Sequence, residues 1–292
     1  MPCHVTPTGD LISAVDWASV SRPFVQTCQT MDNALARPVG HDFLWPHLLE
    51  VPYFRALLRA VEARFYQDLP IVPPVLDLGS GDGSFAAQAF ARPLDVGLDP
   101  WRQPLRESRA RGAHRLLVLA QGARLPFANA AFNTIISNSV LEHIPDLDPV
   151  LAECYRVLRT GGHLLFSAPS DHFTDWLIGR KLFGERYARF FNRISRHYHC
   201  EGAQAWQARL TRAGLVLERA WYYFSPRALR ALELGHYLGL PNLFYKWLAG
   251  RWVPFPSRHN PLLRALEAWL RPIYDEPLPA AGAYIFCVAR KP

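Results

Sequence analysis

Apolar positions recur along the chain in two periods. Between residues 43 and 65 they fall mostly three and four apart (Leu48, Leu49, Tyr53, Phe54, Leu57, Leu58, Val61, Phe65), the mark of an amphipathic helical region, with breaks expected at Pro46 and Pro52. Residues 1–40 lack a clear period and read as an irregular leader. After Pro70, Pro73 and Pro74 the pattern changes, and Val75-Leu76-Asp77-Leu78-Gly79 reads as a short buried strand entering a glycine-rich turn. Helices are then expected over 84–91, 103–110 and 149–158, alternating with strands over 94–98, 115–119, 132–137 and 163–167. That alternation predicts an α/β domain, doubly wound and mostly parallel, because right-handed crossovers lay the helices over both faces of the sheet.

Beyond residue 170 the rhythm breaks, resumes with a helix over 203–212 and a strand over 215–224, breaks again, and ends in a strand over 283–289. The reading is a leader and helical cap over 1–70, then one domain over 71–292 with insertions at about 171–202 and 225–282. Long insertions in a compact domain are usually lids or binding elements.

The turn Gly79-Ser80-Gly81-Asp82-Gly83 lets the backbone approach a ligand that a Cβ would keep away, and the helix after it offers free N–H groups. A dinucleotide fingerprint spaces its glycines Gly-x-Gly-x-x-Gly, whereas Ser84 stands three residues after Gly81, which disfavours a dinucleotide oxidoreductase. The next strand ends at Asp99, a carboxylate placed to accept hydrogen bonds from vicinal ribose hydroxyls.

These residues resemble the class I S-adenosylmethionine-dependent methyltransferases, in particular the ubiquinone and menaquinone biosynthetic branch. Four blocks over about 74–169 carry the likeness: Val75 to Gly83; Val96-Gly97-Leu98-Asp99-Pro100; Gln121-Gly122-Ala123-Arg124-Leu125-Pro126-Phe127; and Phe132 to Ile144 followed by Arg156-Val157-Leu158-Arg159-Thr160-Gly161-Gly162. The resemblance implies a seven-stranded Rossmann-like sheet with an antiparallel last strand, and S-adenosyl-L-methionine as cofactor. It places the methionine moiety on Asp77, Gly79, Ser80, Gly81 and Gly83, the ribose on Asp99 and Pro100, and adenine against Trp101 and the Gln121-Gly122-Ala123 run. Gln121 stands where the family usually has Asp, and Asn133 replaces a frequent Asp. Asn138 and Ser139, after the fourth strand, are expected beside the transferring methyl. The Glu142-His143 pair is more often structural than catalytic in the family.

Methyl transfer is an in-line displacement, so alignment and exclusion of water matter most, and a base is needed only if the acceptor must lose a proton. His143, His197 and His199 are the candidates for base work or acceptor binding, the last two because the first insertion overhangs the edge where ligands bind. The His197-x-His199-Cys200 run lacks a second half for a zinc site, so no metal is expected. The five cysteines form no Cys-x-x-Cys pair, which argues against a disulfide framework.

Composition then narrows the partner. The net charge of +7 favours anions, with only three lysines among the basic residues. In the first insertion Arg180, Lys181, Arg186, Arg189 and Arg193 interleave with Phe173, Trp176, Leu177, Phe183, Tyr187, Phe190, Phe191 and Ile194, as on a membrane-facing helix or a lid. The second insertion is rich in Leu, Trp, Phe and Tyr. The expectation is a cytoplasmic enzyme acting on an apolar or amphiphilic small-molecule or lipid-like acceptor, with peripheral membrane contact. Nucleic acid is a weaker reading, because no Asn-Pro-Pro-Tyr-like motif follows the fourth strand. A protein methyltransferase and a non-catalytic cofactor-binding module stay open as alternatives.

Overall fold

The computed structural model describes residues 3–5, 11–13, 35–38, 40–69 and 71–292. In chain order the strands are β1 (Cys3–Val5), β2 (Leu11–Ser13), β3 (Val75–Leu78), β4 (Leu94–Asp99), β5 (His114–Leu119), β6 (Phe132–Asn138), β7 (Leu158–Pro169), β8 (Val216–Tyr223) and β9 (Tyr284–Arg290). They form one sheet in the order β2-β1-β5-β4-β3-β6-β7-β9-β8. The run from β5 to β7 is parallel, and β9 lies antiparallel between β7 and β8. β3 through β9 make the expected seven-stranded sheet. The short antiparallel pair β1 and β2 extends it beyond β5, where the sequence shows no strand period; the rest of the leader up to residue 34 lies outside the described residues.

Every residue of β3 and β4 is buried, because helices cover both faces. Alternation decides which side each residue serves. Ile136, Leu165 and Phe286 pack into one core, while Ile135, Leu164 and Ile285 pack into the other with Trp206. Three helices complete the central run: α3 (Ser84–Ala89), α4 (Arg102–Arg111) and α5 (Asp148–Val157), with α8 (Ala203–Arg212) further on. α3 stops short of the expected residue 91 because Phe90 turns extended and sinks its ring beside Tyr66.

Residues 40–69 supply α1 (Leu44–Glu50) and α2 (Tyr53–Phe65), separated at Pro52 as expected. Pro46 makes no break, because it sits in the first turn of α1, where its missing N–H has no partner to lose. Leu44, Leu48, Leu57 and Ala60 share a core with Phe85, Leu165 and Phe286, so the helices before residue 70 have no separate core of their own. The first insertion folds as α6 (His172–Asp175) and α7 (Ile178–Ser195), kinked where Gly184 adopts φ +64°. The second gives α9 (Pro226–Leu238), α10 (Leu240–Ala249) and α11 (Pro261–Tyr274). α2 and α9 approach so closely that a Cβ at Gly235 would enter the ring of Phe54.

Candidate active site

The glycine turn leaves β3 with Gly79, Gly81 and Gly83 all at positive φ. The Gly79 and Ser80 N–H groups both donate to Leu98 O, at 2.8 and 2.9 Å, fixing the turn to the end of β4. A Cβ at Gly79 would strike Val140, the residue after Ser139, so the turn and the end of β6 touch backbone to side chain. At Gly81 a Cβ would meet nothing within 4 Å, so the space over the turn is open. Ser80 Oγ is buried without a partner among the described residues. An open cradle with an orphaned hydroxyl at its base fits a bound polar ligand. The expected helix N–H contribution is small, because α3 has six residues and Asp82 Oδ1 already accepts from the Ser84 N–H at 3.1 Å.

Asp99 stands beside this cradle, nearly buried, with Oδ2 accepting from Gly81 N at 3.0 Å and Oδ1 from Trp101 N at 2.9 Å. Burial pushes its carboxyl above the ordinary range, with Asp77 and Asp82 adding repulsion, while the two N–H donors oppose the shift. Each oxygen keeps a lone pair, so ribose hydroxyls still fit. Ala120 N–H donates to Asp99 O, which draws the run after β5 alongside. Pro100, Gln121 and Ala123 are exposed there, and Trp101 presents an indole with 69% of its surface free. Gly122 is half-buried, with Val150 against its Cβ position.

Two expected cofactor contacts are otherwise engaged. Asp77 Oδ2 pairs with His114 Nε2 at 2.8 Å, and His114 Nδ1 bonds Ser108 Oγ at 3.0 Å, so this carboxylate ties β3 to β5. Asn138 is buried and donates through Nδ2 to Glu62 Oε2 at 2.6 Å. Ser139, held at φ +54°, donates through Oγ to Glu62 Oε1 at 2.9 Å and through its N–H to Ser167 Oγ at 3.0 Å. Tyr223 OH also donates to Glu62 Oε1, at 2.7 Å. Glu62 is fully buried on α2 and joins the cap, β6 and β8 at one carboxylate.

Next to Ser139 opens a cavity of about 730 Å³. Pro52, Phe54 and Leu58 of the cap, Phe173 and Ile194 of the first insertion, and Leu232, Leu243 and Trp252 of the second make its apolar walls. Its polar lining is Arg55, Arg59, Glu142, His143, Arg196, His197 and His236. The Arg55 and Arg59 guanidiniums have neither a carboxylate nor a hydrogen-bond partner among the described residues; they lie over the rings of Trp252 and Phe85. Arg55 is exposed to the open cavity, yet the surrounding protein lowers its pKa to about 10, with Arg59 contributing repulsion.

Glu142 is buried, its Oε2 without a partner, and desolvation raises its carboxyl to about 8 despite Arg59. His143 Nδ1 bonds Arg196 O at 3.0 Å, and its ring stacks on His197 at 5.6 Å. His197 Nδ1 is buried and unpartnered, and desolvation lowers its pKa to about 3, with His143 and His236 adding repulsion. Thus His143 and His197 line the cavity as expected. His199 does not: its ring is held between Ile144 O at 3.0 Å and Glu201 at 3.3 Å, with Glu201 bound in turn to Arg209.

Ligand-capable atoms of Glu142, His143 and His197 lie within 4.8 Å of one another, a grouping invisible in the His-x-His-Cys spacing because Glu142 and His143 come from the short 3-10 turn Leu141–His143 after β6. Arg55, Arg59 and Arg196 line the same space, a field that favours an anion. Sequence reading missed Arg55, Arg59, Glu62 and His236, whereas Trp252 belongs to the apolar run of the second insertion that suits an acceptor pocket or a membrane contact. Glu62 alone left a signal, an acid among the apolar positions of an amphipathic helix.

Residues 76–166 match the family model of a methyltransferase domain. An uncharacterized methyltransferase of Mycobacterium sp. (strain JLS) is 36% identical over 104 residues, 35% of this chain and 39% of that protein. The ubiquinone biosynthesis O-methyltransferase of Vibrio atlanticus (strain LGP32) is 29% identical over 116 residues, 36% of this chain and 46% of the relative. The chain thus spans less than half the length of these curated relatives. The solved phosphoethanolamine N-methyltransferase 2 of Haemonchus contortus with S-adenosyl-L-methionine superposes with TM-score 0.52 at 18% identity, covering 97% of this chain and 62% of that one. The [4+2]-cyclase SpnF gives 0.51 at 17% identity, with 93% of each chain covered. At these identities the structures speak to fold alone.

Residues 76–166, which hold the glycine turn and the ribose-side acid, are thus similar to a methyltransferase domain, and the likeness supports a class I S-adenosylmethionine-dependent methyltransferase. S-adenosylmethionine is its cofactor.

Proposed function

We propose that the chain methylates an amphiphilic small molecule, with an apolar body in the 730 Å³ cavity and an anionic group against Arg55 and Arg59. The observation that carries this is two guanidiniums with no ion-pair or hydrogen-bond partner among the described residues, in a cavity of mixed apolar and polar walls that opens beside Ser139. Cations gathered in one cavity favour a small acid over a nucleic-acid strand, which needs a track of cations along the surface.

S-adenosylmethionine supplies an electrophilic methyl on a sulfonium. The glycine turn and Asp99 hold that end of the site, and the cavity walls orient the acceptor and exclude water. In that transfer the acceptor's electron pair would form the new bond to methyl, and the S–C pair would leave with sulfur. Where the acceptor gives up a proton, the ionised fraction of Glu142 receives it through its unpartnered oxygen, so that transfer quickens as pH rises towards the carboxyl's pKa of about 8. His197 stays neutral at pH 7 and serves as a hydrogen-bonding wall.

The test is release of S-adenosylhomocysteine with aliphatic and aromatic acids, each compared with its neutral amide. Turnover of acids, reduced about tenfold in kcat/KM by Arg55→Ala, is expected. Equal turnover of the amides, or no calorimetric binding of S-adenosylhomocysteine, would overturn the reading.

A further inference from the structure

We propose that α10 and the loop after it form an interfacial anchor that seats the chain on a bilayer containing anionic lipid, with the cavity mouth at the lipid surface. In α10 none of the residues whose burial is described is buried. Leu243, Phe244, Trp247 and Leu248 are all exposed, Trp247 by 79%, and their spacing puts them on one side of the helix. The following loop folds back on α10 through Asn242 Nδ2 to Trp252 O at 2.9 Å and carries Phe255, 81% exposed. Large apolar side chains grouped in this way mark a surface that something covers.

Charge identifies the covering partner. From residue 234 to residue 266 the sequence holds no Asp or Glu, but it holds Lys246, Arg251, Arg258 and Arg264. Lys246 reaches Glu107 at 3.4 Å. Arg251, Arg258 and Arg264 are exposed and pair with no carboxylate among the described residues. A second copy seated face to face would set these cations against themselves, since a two-fold interface uses the same patch twice. An anionic lipid surface accepts both the cations and the aromatic side chains. No described helix is long and apolar enough to cross a membrane, so the contact is with one face of the bilayer.

The anchor is continuous with the cavity, because Leu243 and Trp252 also line its wall. An acceptor dissolved in the bilayer would therefore enter without crossing water; this delivery step rests on the function proposed above, whereas the docking does not.

The experiment is co-sedimentation of the whole chain with vesicles of phosphatidylcholine alone and of phosphatidylcholine mixed with phosphatidylglycerol. Binding to the mixed vesicles, weakened by salt, is expected. Arg251→Glu should cost about fivefold in partitioning or more. A Phe244→Ser/Trp247→Ser/Leu248→Ser variant should lose sedimentation while its calorimetric affinity for S-adenosylhomocysteine stays unchanged, which separates failure of docking from failure of the active site. No sedimentation with either vesicle overturns the proposal. So does a concentration-dependent dimer, seen by analytical ultracentrifugation, that the same triple variant dissociates.

Discussion

The two halves of the active site are made by different means. On the cofactor side, neighbouring parallel strands bring together consecutive loops, and much of the contact is backbone: Gly79 and Ser80 on Leu98, Gly81 on Asp99, Ala120 on Asp99. The acceptor side is built by side chains from α2, the end of α7, α9 and the loop after α10, spread from Pro52 to Tyr284. Backbone geometry constrains sequence to glycines and a carboxylate at fixed spacing. A cavity wall asks only for apolar bulk with a few polar groups, which many sequences satisfy. On the proposed reading, the ligand common to the family belongs to the first side and the specificity of this chain to the second.

The largest expected effect is at the joint between them. Glu62→Ala leaves the Asn138 amide and the Ser139 and Tyr223 hydroxyls without their acceptor, and should cost about 3–5 kcal/mol in denaturant unfolding. A loss under about 1 kcal/mol would mean that the two halves are held together elsewhere. Asp99→Ala tests the cofactor side alone: affinity for S-adenosylhomocysteine should fall about a hundredfold by calorimetry, near 3 kcal/mol. Arg55→Ala should leave that affinity within about twofold, and a larger loss would dissolve the division of labour.

Glu142 provides a pH-dependent comparison. Its carboxyl, raised to about 8, keeps its proton in the folded chain where the unfolded chain, near its ordinary 4.5, has lost it. Its stabilising contribution is therefore complete below the ordinary value and declines as pH rises towards 8, by about 2 kcal/mol once local relaxation is allowed for. His197 acts in the opposite sense: depressed from 6.5 to about 3, it costs stability as pH falls through that window. Melting curves of Glu142→Gln should lose the decline towards pH 8 and keep the acid limb, and an unchanged alkaline limb would remove Glu142 from the account. The smallest effect is expected at Arg271→Ala, which breaks a half-exposed pair with Asp42 at 3.0 Å between α11 and the start of the cap, for about 1 kcal/mol or less.

Most of the sheet was legible because burial on both faces writes short apolar runs bounded by glycine and proline, as in β3 and β4. Asp99 was legible from its distance to Gly81. Asp77 and Asn138 lie at the expected edge, and each also has a partner that the sequence did not reveal, since His114 and Glu62 reach them from 37 and 76 residues away. The first insertion read as a membrane-facing helix or a lid; Phe173, Leu177 and Phe191 are core, Phe173 and Ile194 line the cavity, Phe183 and Phe190 stay exposed, and Arg180 pairs with Asp175 and Glu185. Periodicity reveals an amphipathic helix but not what its apolar side meets. The second insertion carried the stronger surface signal, in an absence of acids that helical periodicity does not register.

The place of β9 bears on how the molecule is made. β8 joins the sheet only through β9, and Tyr284, the first residue of β9, is also part of the cavity lining. A nascent chain not yet extended to Tyr284 therefore offers a glycine turn with its acid but an open edge at β7 and an unfinished acceptor wall. Because Phe286 and Val288 enter one core and Ile285, Cys287 and Ala289 the other, closure of that wall and of both cores awaits synthesis of β9.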